Sequence, residues 1–333
     1  MLKENDTLNR LNPEIPIFLA PLAGYTDSPF RRVVRSFGAG IVFTEMVSVM
    51  GIKFKDKNTL GLLKFYPEEH PIFVQLFGSD IDAFAHASKF VTNLKFDGID
   101  INAGCPVPKI VKDGSGSYLL KDLTRLAKIV HAVKSSSDLP VSLKVRKGFN
   151  KGENVLSGVL KIAENEGVSF LTIHAITTEE GFKKESEDWD AIAEIVAKAK
   201  IPIVANGGVE EEEDVKALFE KTNAPYVMIG RATIGRPWFL KSSYKFLKEN
   251  IKLDIPNKEK IDIIVRHIES AVEFYGEEKG IVEMRKHFIK YARGIRRAAE
   301  FRRYANSIKT KEEAIALVRA FFDETEVKDG RTS

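Results

Sequence analysis

Short apolar runs alternate with amphipathic stretches along the first two thirds of the chain. The runs cover residues 17–20, 41–44, 72–76, 98–102, 141–145, 170–174, 201–205 and 226–230. They recur at intervals of roughly 25 to 40 residues, and the stretches between them, such as 123–134, 155–166 and 211–221, repeat apolar residues with helical spacing. Runs that are apolar at almost every position predict parallel strands covered on both faces. Eight strand–helix units in about 230 residues predict an α/β fold of the (β/α)8 TIM-barrel type, with a doubly wound sheet as the competing arrangement. After Trp238 the strand-like runs stop. Residues 261–275, 282–293 and 311–322 have helical spacing, and the polar stretch 250–260, carrying Pro256, reads as a connector. The expected organisation is a barrel domain over residues 1–245 followed by an all-helical C-terminal domain over residues 246–333.

Composition narrows the class. Hydrophobic residues make up 44% of the 333 positions, enough for a sizeable core. The single cysteine excludes an intrachain disulfide and a cysteine-cluster metal site, and it fits a reducing compartment. Residues 1–14 are polar and of mixed charge, and no window holds the ~18 apolar residues of a membrane span. The expectation is a cytoplasmic protein with no membrane contact, no metal and no required oligomer. A net charge of +4 is too small to show nucleic-acid binding by itself.

The chemistry-bearing residues fall at the C-terminal ends of seven of the eight runs, where barrels of this kind gather their active groups. They are the loop 20–27 after the first run, Gln75 in the third, Asn102 and Cys105 after the fourth, Lys144 in the fifth, His174 ending the sixth, Asn206-Gly207-Gly208 after the seventh, and Gly230-Arg231 after the eighth. A lone strand lysine or strand-end histidine is ordinary structure; seven polar ends on one rim are not. Cys105 lies between Gly104 and Pro106, which stop regular pairing, so it reads as a loop thiol rather than a small core residue. Gly207, Gly208 and Gly230 allow close backbone approach and Arg231 adds charge, as a phosphate requires. Lys144 near the barrel centre needs an anionic partner. Gln75 offers the donor and acceptor of an imide partner. Together these describe a site for flavin mononucleotide.

These segments resemble the tRNA-dihydrouridine synthase family. The stretch Ala-Pro-Leu-Ala-Gly-Tyr-Thr-Asp at 20–27 is similar to its N-terminal signature. Asp-Ile-Asn-Ala-Gly-Cys-Pro-Val at 100–107, followed by Lys109, is similar to its active-site signature. Ser142-Leu-Lys-Val-Arg146 matches its flavin-lysine strand, and Asn206-Gly207, Ile229-Gly-Arg-Ala232 and Pro237-Trp238 match its phosphate end. Residues 284–294 resemble the core of its helical domain. Gly208 stands where the family commonly has Asp, and Ile176 and Thr178 where it carries arginines, which Lys183 and Lys184 are placed to replace.

The resemblance implies an FMN enzyme that reduces the C5–C6 bond of specific tRNA uridines with NADPH or NADH, hydride passing from flavin N5 to C6. Cys105 is the expected acid that protonates C5; a thiol with a reference pKa of ~8.5 already carries its proton at neutral pH. Lys144 is expected at the N1–C2 edge of the flavin, Gln75 at its pyrimidine edge, Pro21, Leu22 and Ala23 against its ring, and His174 at flavin or substrate. Asn102 is expected to orient the uracil, and Lys109 to contact RNA. From Arg285 to Arg303 there are eight Lys or Arg (Arg285, Lys286, Lys290, Arg293, Arg296, Arg297, Arg302 and Arg303) against one acid, Glu300, with Tyr291, Phe301 and Tyr304 interleaved. That one-sided run is expected to track tRNA phosphates. Arg31, Arg32 and Arg35 read as surface charge able to extend the track. Two rivals stay open: a flavin barrel acting on a free pyrimidine or dihydroorotate, and a protein that mainly binds or folds tRNA.

Overall fold

The computed structural model describes Leu8, Leu11, Pro13, residues 15–293 and residues 297–326. Eight parallel strands form one sheet: β1 (Ile17–Leu19), β2 (Val42–Ser48), β3 (Ile72–Phe77), β4 (Gly98–Ala103), β5 (Val141–Gly148), β6 (Phe170–Thr177), β7 (Ile203–Asn206) and β8 (Tyr226–Ile229). Their spatial order is β1-β8-β7-β6-β5-β4-β3-β2. The ring closes where Leu19 N–H donates to Ile41 O and Gly40 N–H donates to Ile17 O, both at 2.9 Å. The architecture is a (β/α)8 barrel with helices outside. Several of those helices begin on an aspartate: the side chains of Asp27, Asp80, Asp122 and Asp188 each accept a first-turn N–H.

Alternate residues of each strand face inward. At the lower end Phe18, Phe43, Phe73 and Phe170 fill the barrel with Val204 and Met228, and Leu8 and Leu11 pack against them. The outward residues, such as Leu19, Val74, Ile101, Leu143 and Ile173, pack with Leu126, Ile129, Leu218 and other helix residues into a continuous shell. β2, β5 and β6 run past their expected ends. The β2–β3 register shifts between Phe43 and Met46, and the β5–β6 register between Arg146 and Gly148. The extra residues in these irregularities carry the strands on into polar sequence.

Beyond the barrel the chain is helical: Phe239–Glu249, Asn257–Tyr275, Glu277–Tyr291, Ala298–Ala305 and Lys311–Glu326. The first of these runs through position 245 and packs on the Glu212–Thr222 helix and on β1. The connector is shorter than the sequence suggests, because the next helix starts at Asn257, directly after Pro256. The later helices enclose a second core, including Ile264, Ile268, Met284, Phe288 and Phe301, which also takes in Val33 and Trp238 of the barrel unit. Among the described residues, no helix is long and apolar enough to cross a membrane.

Three charge readings change here. Arg31 is 1% exposed, not surface charge. Its Nε donates to Glu69 Oε2 at 2.6 Å and its Nη1 to Thr26 O at 2.6 Å. Arg32 is held by Glu68 and Glu273, and Arg35 by the carbonyls of Ala39 and Gly40. Two of the three interleaved aromatics, Tyr291 and Phe301, are core residues, and only Tyr304 is exposed. Their apolar bulk closes the helical core rather than a surface track.

Candidate active site

The strand pleat dictates the upper layer of the barrel. Asn102 is in register with Lys144, Arg146 with His174, and His174 with Asn206. Because these positions share the inward face, their side chains converge on one cavity of about 360 Å³ at the C-terminal ends of the strands. It is lined by Pro21, Leu22, Ala23, Gln75, Asn102, Cys105, Lys144, His174, Asn206, Gly207, Gly208, Gly230 and Arg231. Every residue expected at cofactor or catalysis, and Asn102, lies there. Lys109 does not line it; it stands exposed on the short helix Pro108–Lys112.

A chain of hydrogen bonds runs beneath the cavity floor. Ser142 Oγ donates to Asp100 Oδ1 at 2.6 Å, and Gln75 Nε2 to Asp100 Oδ2 at 2.7 Å. Asn102 Nδ2 then donates to Gln75 Oε1 at 2.9 Å, while Asn102 Oδ1 accepts the N–H groups of Gly104 (3.1 Å) and Cys105 (2.9 Å). The Asn102 side chain therefore holds the cysteine loop and has one amide proton left for a ligand. Behind the loop, Ser117 N–H donates to Cys105 O, and the left-handed Gly116 sits where a Cβ would lie 2.7 Å from that oxygen. Burial raises the Cys105 thiol above its ordinary value, against smaller opposite pulls from the Val107 N–H, Arg146 and Lys144. At neutral pH it is a protonated thiol.

Lys144 Nζ donates to Asn206 Oδ1 at 2.6 Å, and Asn206 Nδ2 donates to Met228 O at 2.8 Å. Burial pushes the Lys144 ammonium down to about 8, with buried Asp100 as the main group pulling it back up. Asp100 is itself raised to about 6 by burial, offset in part by its bonds from Gln75 and Ser142. His174 Nε2 meets the Glu187 carboxylate at 2.8 Å, and burial lowers its pKa to about 4. The ring is neutral at pH 7, so Nε2–H donates and Nδ1 is left as an acceptor.

Three side chains of this site escaped the sequence reading. Asp100 was visible as a charge inside an apolar strand. Arg146 shares the inward face with Ser142 and Lys144, so period-two spacing was its signal. Its guanidinium donates to the carbonyls of Gly104, Thr177 and Gly181, tying the cysteine loop to the loop after β6. Glu187 gave no signal, because its partner His174 lies 13 residues away across a loop. On that loop the exposed Phe182 ring lies under both Arg146 (4.8 Å) and Arg231 (5.4 Å). Lys184 is turned away from the cavity, its ammonium 3.0 Å from Asp214.

The expected RNA-facing cations behave differently from one another. Arg285 is half-buried and donates to Ile308 O, and Lys286 pairs with Glu283. Lys290 is half-buried, Arg293 is exposed, and Arg297 pairs with Glu300. Arg296 lies outside the described residues.

The upper mouth of the barrel thus carries a protonated thiol, a recessed ammonium and paired amides in a cleft whose walls are otherwise largely apolar. The model of the dihydrouridine synthase (Dus) family matches residues 18–326. The chain is 36% identical to tRNA-dihydrouridine synthase B of Pasteurella multocida over 92% of both chains. It is 35% identical to the enzyme of that name from Pseudomonas putida over 95% of both, and 33% identical to a probable tRNA-dihydrouridine synthase of Aquifex aeolicus over 86% of this chain and 90% of that one. Histamine dehydrogenase from Rhizobium sp. 4-9 shares the fold, with a TM-score of 0.53 and 14% identity over 80% of this chain, which spans about half (51%) of that one. The chain belongs to the dihydrouridine synthase family and is an enzyme of that family.

Proposed function

We propose that this enzyme reduces the C5–C6 double bond of uridines in tRNA, with FMN as the bound cofactor and NADPH or NADH as the reductant. The supporting observation is the single cavity that gathers the thiol of Cys105, the Asn102–Gln75–Asp100 chain and the Lys144 ammonium. FMN fits this donor set. Gly207 and Gly208 have positive φ angles of 112° and 73°, leaving a backbone cradle beside the exposed guanidinium of Arg231 for a phosphate. A Cβ on Gly230 would meet Leu22 at 3.2 Å and Ala20 at 3.3 Å, so the wall there is narrow, as a planar ring system requires. Lys144 and Gln75 supply the cation and amide for its polar edge.

FMN, when bound, supplies the hydride equivalent. The chain supplies the rest. Asn102 presents its remaining amide proton to a uracil carbonyl and holds Cys105 in place. Cys105 donates the thiol proton to C5, and its raised pKa keeps that proton in place until the base needs it. Lys144 offsets negative charge as it develops on the rings. Arg146 anchors the cysteine loop, and Phe182 offers an exposed face for a base swung out of its stack. Catalysis is assigned to residues 1–245 with the helix that continues to Glu249. RNA binding is assigned to the helical remainder, with half-buried Lys290 and exposed Arg293 as candidate phosphate contacts. Cytoplasmic location follows from that substrate.

The test is to release the bound chromophore and identify it, then supply NADPH and compare unmodified tRNA with free uridine and dihydroorotate. Dihydrouridine formed in tRNA alone, with released FMN, supports the proposal. Turnover of the free compounds without tRNA would replace it with the small-molecule reading.

A further inference from the structure

Asp27, His267 and His287 form a second polar group, buried between the barrel and the helical region. Asp27 caps the Ser28–Arg35 helix, and the two histidines come from the Asn257–Tyr275 and Glu277–Tyr291 helices. One ligand atom from each lies within 4.8 Å of the others. Both imidazoles are 1% exposed. His267 Nδ1 meets the Tyr291 hydroxyl at 3.0 Å, but among the described residues its Nε2 has no partner and neither ring nitrogen of His287 has one. Leaving such buried groups unmet costs about 1–3 kcal/mol each. The neighbouring rings give no relief, since Phe30 stacks on His287 with 5.2 Å between centroids and Tyr25 meets it edge-on.

We propose that these three residues bind a divalent transition metal, with Zn²⁺ the best match. Two imidazoles and one carboxylate are a common zinc donor set, and borderline-soft nitrogen ligands select against Mg²⁺ and Ca²⁺. The surroundings have the expected outer partners. With Nδ1–H donating to the Tyr291 hydroxyl, His267 keeps Nε2 as the ligating nitrogen, and Tyr275 Oη donates to Asp27 Oδ2 at 3.1 Å. An entry path exists, because Asp27 also lines a cavity of about 410 Å³ shared with Glu45 and Glu283. Among the described residues, five cations line the same cavity, Arg31, Lys57, Lys64, Lys279 and Lys286; of these Lys286 is paired with Glu283 and Arg31 with Glu69. The metal would clamp the first barrel loop to two helices that the chain reaches about 240 residues later. The proposal departs from the expectation of no metal. Three ligands at positions 27, 267 and 287 carry no spacing signal.

The test uses the full chain, desalted and assayed for zinc, then stripped with a chelator and titrated with Zn²⁺ or Co²⁺. The proposal expects about one zinc per chain surviving desalting. It expects the melting temperature to rise by roughly 4–8 °C at a hundredfold excess over the dissociation constant. Co²⁺ should give d–d bands without a thiolate charge-transfer band. Asp27→Asn, which keeps an oxygen for the Phe30 N–H, and His287→Gln should each abolish the thermal gain. Less than about a tenth of an equivalent after incubation with zinc would overturn it, because a bridging water then fills the site. An equal gain in both variants, or a Co²⁺–thiolate band marking Cys105, would overturn it as well. Wild-type occupancy and the Co²⁺ spectrum decide the matter even if a variant folds poorly, and neither depends on tRNA turnover.

Discussion

Replacing Asn102 with alanine removes one amide that makes three hydrogen bonds at the heart of the site: one to Gln75 Oε1 and two from the Gly104 and Cys105 N–H groups. Each buried group left unpaired costs about 1–3 kcal/mol. The loop sits at the barrel mouth and water can reach its two N–H groups, so the lower end applies and the expected loss of stability is about 3 kcal/mol. The larger effect is on chemistry, because the thiol loop loses its tether, and a displacement of about 1 Å at a reacting group costs roughly 100-fold in rate. Asn102→Asp separates the two roles. A carboxylate still accepts both N–H groups, but it cannot donate to Gln75 and it adds a second charge beside buried Asp100. That variant should keep the cysteine loop ordered and lose cofactor affinity instead. Urea unfolding gives the stability, and single-turnover oxidation of the reduced enzyme by unmodified tRNA gives the rate. An alanine variant within about twofold of the wild-type rate and about 0.5 kcal/mol of its stability would refute the reasoning.

Further outcomes follow from the buried charges. Burial lowers Lys144 to about 8 from its ordinary 10.5, so at pH 7 the folded state carries the charge at a cost. Since the unfolded chain holds that proton more tightly, the cost is relieved as pH rises from about 8 toward 10.5. Lys144→Met should accordingly stabilise the cofactor-free protein by roughly 1–3 kcal/mol in calorimetry while weakening FMN binding at least about tenfold; lower stability with unchanged FMN affinity would contradict this. Arg31→Met strands Glu69 without its guanidinium and should cost about 3–5 kcal/mol by urea unfolding, whereas a loss under about 1 kcal/mol would show Arg31 to be ordinary surface charge. Lys290→Glu with Arg293→Glu should weaken tRNA binding and flatten its salt dependence by about one to two ions, leaving FMN affinity intact; an unchanged salt slope in filter binding would move the RNA track elsewhere.

Most of the barrel site was legible because two simple periodicities intersect there. Strand alternation sends Gln75, Asn102, Lys144, His174 and Asn206 inward, and the barrel rule puts their ends on one rim. What sequence hid were pairings across long separations. Arg31 sits on a helix with two other arginines and reads as solvated, yet Glu69, 38 residues on, makes it a buried ion pair. Tyr291 and Phe301 alternate with basic residues and read as a surface, yet Phe301 packs edge-on against Phe288, Phe321 and Phe322. Glu187 belongs to a loop with no period at all, and only the fold of that loop brings it to His174. Local pattern predicts which face a residue takes; it does not predict which distant side chain will meet it there.

The proposed function turns on Cys105 delivering a proton to the substrate base from the cavity proposed to hold the flavin. The most direct measurement compares wild-type and Cys105→Ala proteins, both carrying their cofactor in reduced form, mixed with unmodified tRNA in a single turnover. The account predicts that tRNA binds both equally and that the alanine variant forms dihydrouridine about 100- to 10,000-fold more slowly. Equal rates in the two proteins would contradict it.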